Sequence, residues 1–151
     1  MSKLPGVAAA FAAMSILVSV PASAGGGNSA EKLRRLDIML MVTGLRCRTT
    51  RDNFQREYGR FTTNHIGELN AAARELKADY AAKLGPAKAD RALDKLSVQM
   101  ANQYGQGHPW LNCGQLKRVA STLADMRGLQ PLVEAANDLL DDGAHQMAWL
   151  R

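Results

Sequence analysis

Few residues in the chain have types that could do chemistry: Cys47 and Cys113, the histidines at 65, 108 and 145, and a run of arginines around Cys47. Two cysteines in a chain bound for an oxidising compartment are read as one disulfide. A Cys47–Cys113 bridge joins residues 66 apart, and in the chain-entropy view stabilises the fold by about 4 kcal/mol. It also brings two distant stretches together. Arg46, Arg48 and Arg51 flank Cys47, while His108, Pro109, Trp110 and Asn112 precede Cys113. A guanidinium offers a rigid fork of donors to a carboxylate or phosphate, and an indole stacks on an arginine or on an apolar ligand. This juxtaposition is the first place to expect a binding surface. The plainer alternative is that Trp110 plugs the end of a helical bundle and the arginines are solvated or face the last carbonyls of a helix.

His65 shares an apolar stripe with Phe61 and Leu69. It is read as a core or helix-surface histidine satisfied by one hydrogen bond, ahead of a ligand-binding or pH-sensing group. His108 and His145 show no metal-ligand spacing with it, and the scattered methionines sit at helical spacing, where thioethers fill cores. No H-E-x-x-H, C-x-x-C, G-x-S-x-G or Walker loop is present. The segment from Gly105 to Trp110 departs from the dinucleotide fingerprint at its last position and follows a helical stretch. No catalytic residue, metal or cofactor is therefore expected.

The compartment is read from the N-terminus. Lys3, an uncharged run from Val7 to Val20, and Pro21-Ala22-Ser23-Ala24 make a positive region, an apolar region and an A-x-A site. Residues 1–24 are expected to be a cleaved signal, and 25–151 a single domain that is periplasmic or secreted, with no stable membrane span. Loss of Lys3 lowers the net charge from +5 to +4. That charge is polarised. Residues 34–60 hold seven arginines against Asp37, Asp52 and Glu57, whereas past Gly128 only Arg151 faces Glu134, Asp138, Asp141 and Asp142. Such a basic end could draw an acidic protein or a small anion; export argues against nucleic acid.

Periodicity predicts the elements that must position these residues. Asn28 with Glu31 is a candidate capping pair, and a helix from Ala30 to Arg48, apolar on most sides, belongs in the middle of a bundle. A turn and N-cap at Thr49, Thr50 and Asp52 introduces a long helix in which Phe54, Tyr58, Phe61, His65, Leu69, Ala72, Leu76, Tyr80 and Leu84 share a face. Gly59 and Gly67 mark a bend or a close crossing in it, and Gly85-Pro86 ends it. Further helices start near Ala87, run from Asn112 to Arg127, and begin around Pro131 with Gly143 as the stop. No segment alternates with period two. The fold class is all-α, an antiparallel bundle of four or five helices.

The runs LDIMLMVTGLRCRTT, from Leu36 to Thr50, and MANQYGQGHPWLNC, from Met100 to Cys113, resemble a group of short exported bacterial proteins of uncharacterised role. Some of that group carry the name S-adenosyl-homocysteine hydrolase. The name implies an NAD-binding α/β domain, which this helical sequence without a glycine loop does not build. The resemblance carries over no catalytic residue. Two hypotheses follow: a non-enzymatic protein that binds a protein or small anionic ligand near the disulfide, or a small enzyme using His65 or His108 as acid or base.

Overall fold

The computed structural model describes residues 26–140. Six α-helices are present among them, α1 Gly26–Cys47, α2 Gln55–Asn64, α3 Ile66–Leu84, α4 Pro86–Tyr104, α5 Cys113–Asp125 and α6 Leu129–Leu140, and no strand. The expected signal sequence lies outside the described residues, as do Gly143, His145 and Trp149. None of the described helices is long and apolar enough to cross a membrane.

Helix α1 touches each of the other five. Its apolar residues run round most of its circumference, so Leu33, Leu36, Met39 and Leu40 are fully buried against several neighbours at once. Thr43 is the one polar residue buried on it, and its hydroxyl donates back to the Met39 carbonyl at 2.7 Å, which removes the cost of an orphaned donor. The helix begins at Gly26, two residues ahead of the expected cap, so Asn28 lies within it. The reciprocal capping box occurs instead on α5, where the Asn112 side chain accepts from the Gln115 amide and the Gln115 side chain accepts from the Asn112 amide, each at 2.9 Å.

The long helix expected over residues 52–84 is two helices, which brings the total to six. The break is at His65, whose φ of −115° and ψ of 20° leave helical space. Neither glycine causes it: a Cβ added at Gly59 or Gly67 would meet nothing within 4 Å. The cause is the end of α5. The Met126 amide at its C-cap is shared between the Thr122 and Leu123 carbonyls at 3.2 and 3.3 Å, which leaves acceptor capacity at this terminus for side chains. The His65 Nε2–H donates to the Leu123 carbonyl at 2.8 Å, and the Asn64 side-chain amide donates to Ala124 at 2.8 Å. A straight helix over residues 55–84 could not aim both side chains at one neighbouring terminus, so α2 stops to cap α5.

The turn between α1 and α2 forms as expected but its cap differs. Thr50 donates to the Cys47 carbonyl at 2.8 Å and its hydroxyl accepts from the Asp52 amide, while Asn53, rather than Asp52, takes the Gln55 amide at 3.0 Å. Phe54 then occupies the cap position with no side-chain hydrogen bond and is fully buried. Its ring lies on Gly44 of α1, where an added Cβ would come within 3.3 Å of Cε2. The close crossing is therefore at Gly44.

Candidate functional site

Cys47 closes α1 and Cys113 opens α5, and the two are joined by a disulfide with Cα atoms 5.7 Å apart. The bridge fixes the end of α1 beside the loop that links α4 to α5. Gly107 sits in that loop at φ +111°, a conformation that glycine adopts without strain, and a Cβ there would lie 3.3 Å from Arg46 Nε. Arg46 also donates to the Gly105 carbonyl at 3.5 Å, so its guanidinium lies along the loop backbone. Between this loop and α1 is an open groove of about 390 Å³, lined by Val42, Leu45, Arg46, Arg48, Thr49 and Gly105.

The groove combines two chemistries. Leu45 is 47% exposed and its neighbour one turn back, Met41, is 39% exposed, an apolar strip on the outside of an otherwise buried helix. Arg46 and Arg48 are exposed beside it, and among the described residues neither has a carboxylate partner. Arg51 is not part of the groove. Its side chain is 94% exposed and its Nε lies 3.7 Å from Asp52.

His108 and Trp110 do not line the groove. The His108 Nε2–H donates to the Leu139 carbonyl of α6 at 3.0 Å, and Nδ1 accepts weakly from the Trp110 amide at 3.5 Å. Tyr104 stacks on one side of the imidazole with centroids 5.7 Å apart, and the indole meets it edge-on at 4.4 Å. Trp110 is half-buried against the core. Burial lowers the His108 pKa below its ordinary 6.5, because a charged ring would lose solvation, and the Leu139 carbonyl opposes this in part. Protonation at Nδ1 would also set two donors against each other at the Trp110 amide. The unfolded chain thus binds its proton at a higher pH than the folded one, so the contribution of His108 is present above pH 6.5 and lost as pH falls through its depressed value. Urea midpoints are expected to fall between pH 7 and pH 5 in the wild type, and His108→Gln should flatten that component. An unchanged slope in the variant would exclude His108 as its source.

The structure does not bring His65 to the groove. It is buried against Phe61, with centroids 5.3 Å apart, and Nδ1 has no hydrogen-bond partner among the described residues. Among the described residues no three His, Cys, Asp or Glu side chains converge to hold a metal.

A further polar cluster was not foreseen from the sequence. The Tyr58 hydroxyl donates to Asp37 at 2.9 Å, Arg34 lies 3.8 Å from the other carboxylate oxygen, and Arg34 also donates to Ser97 at 3.1 Å. Burial raises the Asp37 pKa above 3.8, against the lowering effect of the Tyr58 hydrogen bond and of Arg34; burial and the adjacent carboxylate both raise Tyr58. The cluster ties α1 to α2 and α4 away from the groove. Its one advance signal was a carboxylate inside the apolar run of α1.

Comparison with known proteins finds no family model, no characterised protein and no solved structure that matches this chain.

Proposed function

We propose that this is an exported, non-enzymatic helical binding protein whose disulfide-end groove takes a small anionic ligand with an apolar body, such as a medium-chain carboxylate. One observation carries the reading: two exposed guanidiniums, without carboxylate partners among the described residues, border an exposed aliphatic strip in a groove of about 390 Å³. That volume suits a small molecule. Arginine forks would take the carboxylate, and Val42 and Leu45 would cover the chain. Holding Arg46 along the loop backbone lowers the entropy lost when an anion binds.

Acid–base catalysis is the weaker reading. His65 and His108 are both buried with Nε2 committed to a backbone carbonyl, and neither lines the groove. A general acid or base must reach the proton it moves.

Calorimetry with dodecanoate tests the proposal. The Arg46→Ala, Arg48→Ala double variant should bind about tenfold more weakly, a loss of about 1.4 kcal/mol, whereas Arg51→Ala should bind as the wild type does. No binding by the wild type, or an equal loss from Arg51→Ala, would remove the groove as the site.

A further inference from the structure

The groove is one end of a wider outer face shared by α1 and α4. The two helices run side by side in the same direction, since Arg34 donates to Ser97 at 3.1 Å and Arg46, near the end of α1, to the Gly105 carbonyl at 3.5 Å. Val98 stands two helical turns before Gly105, which lines the groove, and so lies on the same face of α4. It is 57% exposed and joins Met41 and Leu45 of α1 as a third exposed aliphatic side chain. Lys95 and Arg91, one and two turns before Val98, continue the stripe. Both are exposed, and among the described residues neither has a carboxylate partner, just as Arg46 and Arg48 have none at the other end. From Arg91 to Gly105 the one carboxylate is Asp94.

We infer that this face docks on an anionic lipid bilayer, the three aliphatic side chains entering the headgroup region and the four cations meeting lipid phosphates. Charge complementarity selects an anionic surface, because cations without carboxylate partners among the described residues stand at both ends of the aliphatic centre, against Asp94 alone on the α4 stripe. The apolar groups select a bilayer over a protein partner. Protein interfaces are anchored by aromatic side chains in closely packed pockets, whereas Met41, Leu45 and Val98 are separate aliphatic groups bordered by arginine and lysine. The boundary between headgroups and acyl chains accepts that arrangement. The inference goes beyond the groove's ligand and stands without it. Joined to that reading, it turns the groove towards the layer in which amphiphilic carboxylates dissolve.

Co-sedimentation with vesicles tests the face, using the exported protein with its loss of residues 1–24 checked by mass. Vesicles of mixed phosphatidylglycerol and phosphatidylcholine are expected to carry the protein down at ~0.05 M salt and to release most of it at ~0.5 M, while pure phosphatidylcholine vesicles leave it in solution. Arg91→Gln with Lys95→Gln removes two cations that do not line the groove, and should weaken vesicle binding about thirtyfold with dodecanoate affinity unchanged. Arg56→Gln with Lys117→Gln removes the same charge from a separate cleft lined by α2 and α5 residues, and should bind vesicles as the wild type does. Met41→Ser with Val98→Ser should lose about tenfold. Met41, Arg91, Lys95 and Val98 are exposed, so these changes spare the core. No sedimentation of the wild type, equal binding to neutral vesicles, or an equal loss from Arg56→Gln with Lys117→Gln would overturn the docking face, and dodecanoate binding would still keep the groove. Unchanged vesicle binding in Met41→Ser with Val98→Ser would overturn it too, reducing the attraction to net charge. Vesicle binding without dodecanoate binding would support the face and overturn the ligand class.

Discussion

Replacing both cysteines, as Cys47→Ser with Cys113→Ser, should lower the unfolding free energy by about 4 kcal/mol. The expectation comes from the 66-residue separation that the bridge closes. Without it the unfolded chain regains that loop entropy. The folded state keeps its packing, except that Cys47 is buried and a serine hydroxyl there adds a further cost. Urea denaturation of the variant, beside wild type with and without a thiol reductant, measures the loss. Reduced wild type and variant should agree to within about 1 kcal/mol. If the variant unfolds at the wild-type midpoint, the bridge does not staple the fold. The groove is affected along with stability, because the bridge anchors the loop whose Gly105 carbonyl receives Arg46.

Phe54→Ala is the second large effect, expected to destabilise by about 3–5 kcal/mol. Phe54 is fully buried at the junction of α1 and α2, and its carbonyl starts α2 by accepting from the Tyr58 amide at 2.9 Å. Alanine keeps that backbone bond and empties the space under the ring. Gly44 gives the prediction a sharper form. Alanine is the better helix former by about 1 kcal/mol, yet its Cβ would sit 3.3 Å from the Phe54 ring edge and force it to shift. Gly44→Ala should therefore destabilise the wild type and stabilise the Phe54→Ala protein. A double-mutant cycle in urea reads that change of sign directly. The same sign in both backgrounds would mean that the ring does not dictate glycine at position 44.

What was legible in the sequence was local or covalent. Periodicity places α1 at the centre because its apolar residues run round most of its circumference, and Gly85-Pro86 marks the junction of α3 and α4 because proline starts a helix more readily than it continues one. The cysteine pair follows from their even count. The break at His65 was not legible, since Phe61, His65 and Leu69 keep helical spacing straight through it. What interrupts the backbone is a carbonyl 58 residues away on α5. Distance in sequence also hides the Asp37–Tyr58 pair and the Gly44–Phe54 crossing, which depend on how α2 lies on α1. For the candidate site, the meeting of Arg46 and Arg48 with the Gly105–Trp110 loop followed from the disulfide. Which members face outward did not. His108 and Trp110 carry the same polar and aromatic chemistry whether or not they line a groove, and only the carbonyl of Leu139 and the ring of Tyr104 turn them inward.

The position of α1 as the helix that all others contact has a consequence for biogenesis. It is the first described helix to be synthesised, yet α6, about a hundred residues later, forms part of its cover. A nascent chain presents Leu33, Leu36, Met39 and Leu40 bare until residue 140 has emerged, and no early pair of helices can bury them completely. Native packing is thus withheld until α6 has been synthesised. Folding is postponed by the order of the helices, even where no chaperone holds the polypeptide open.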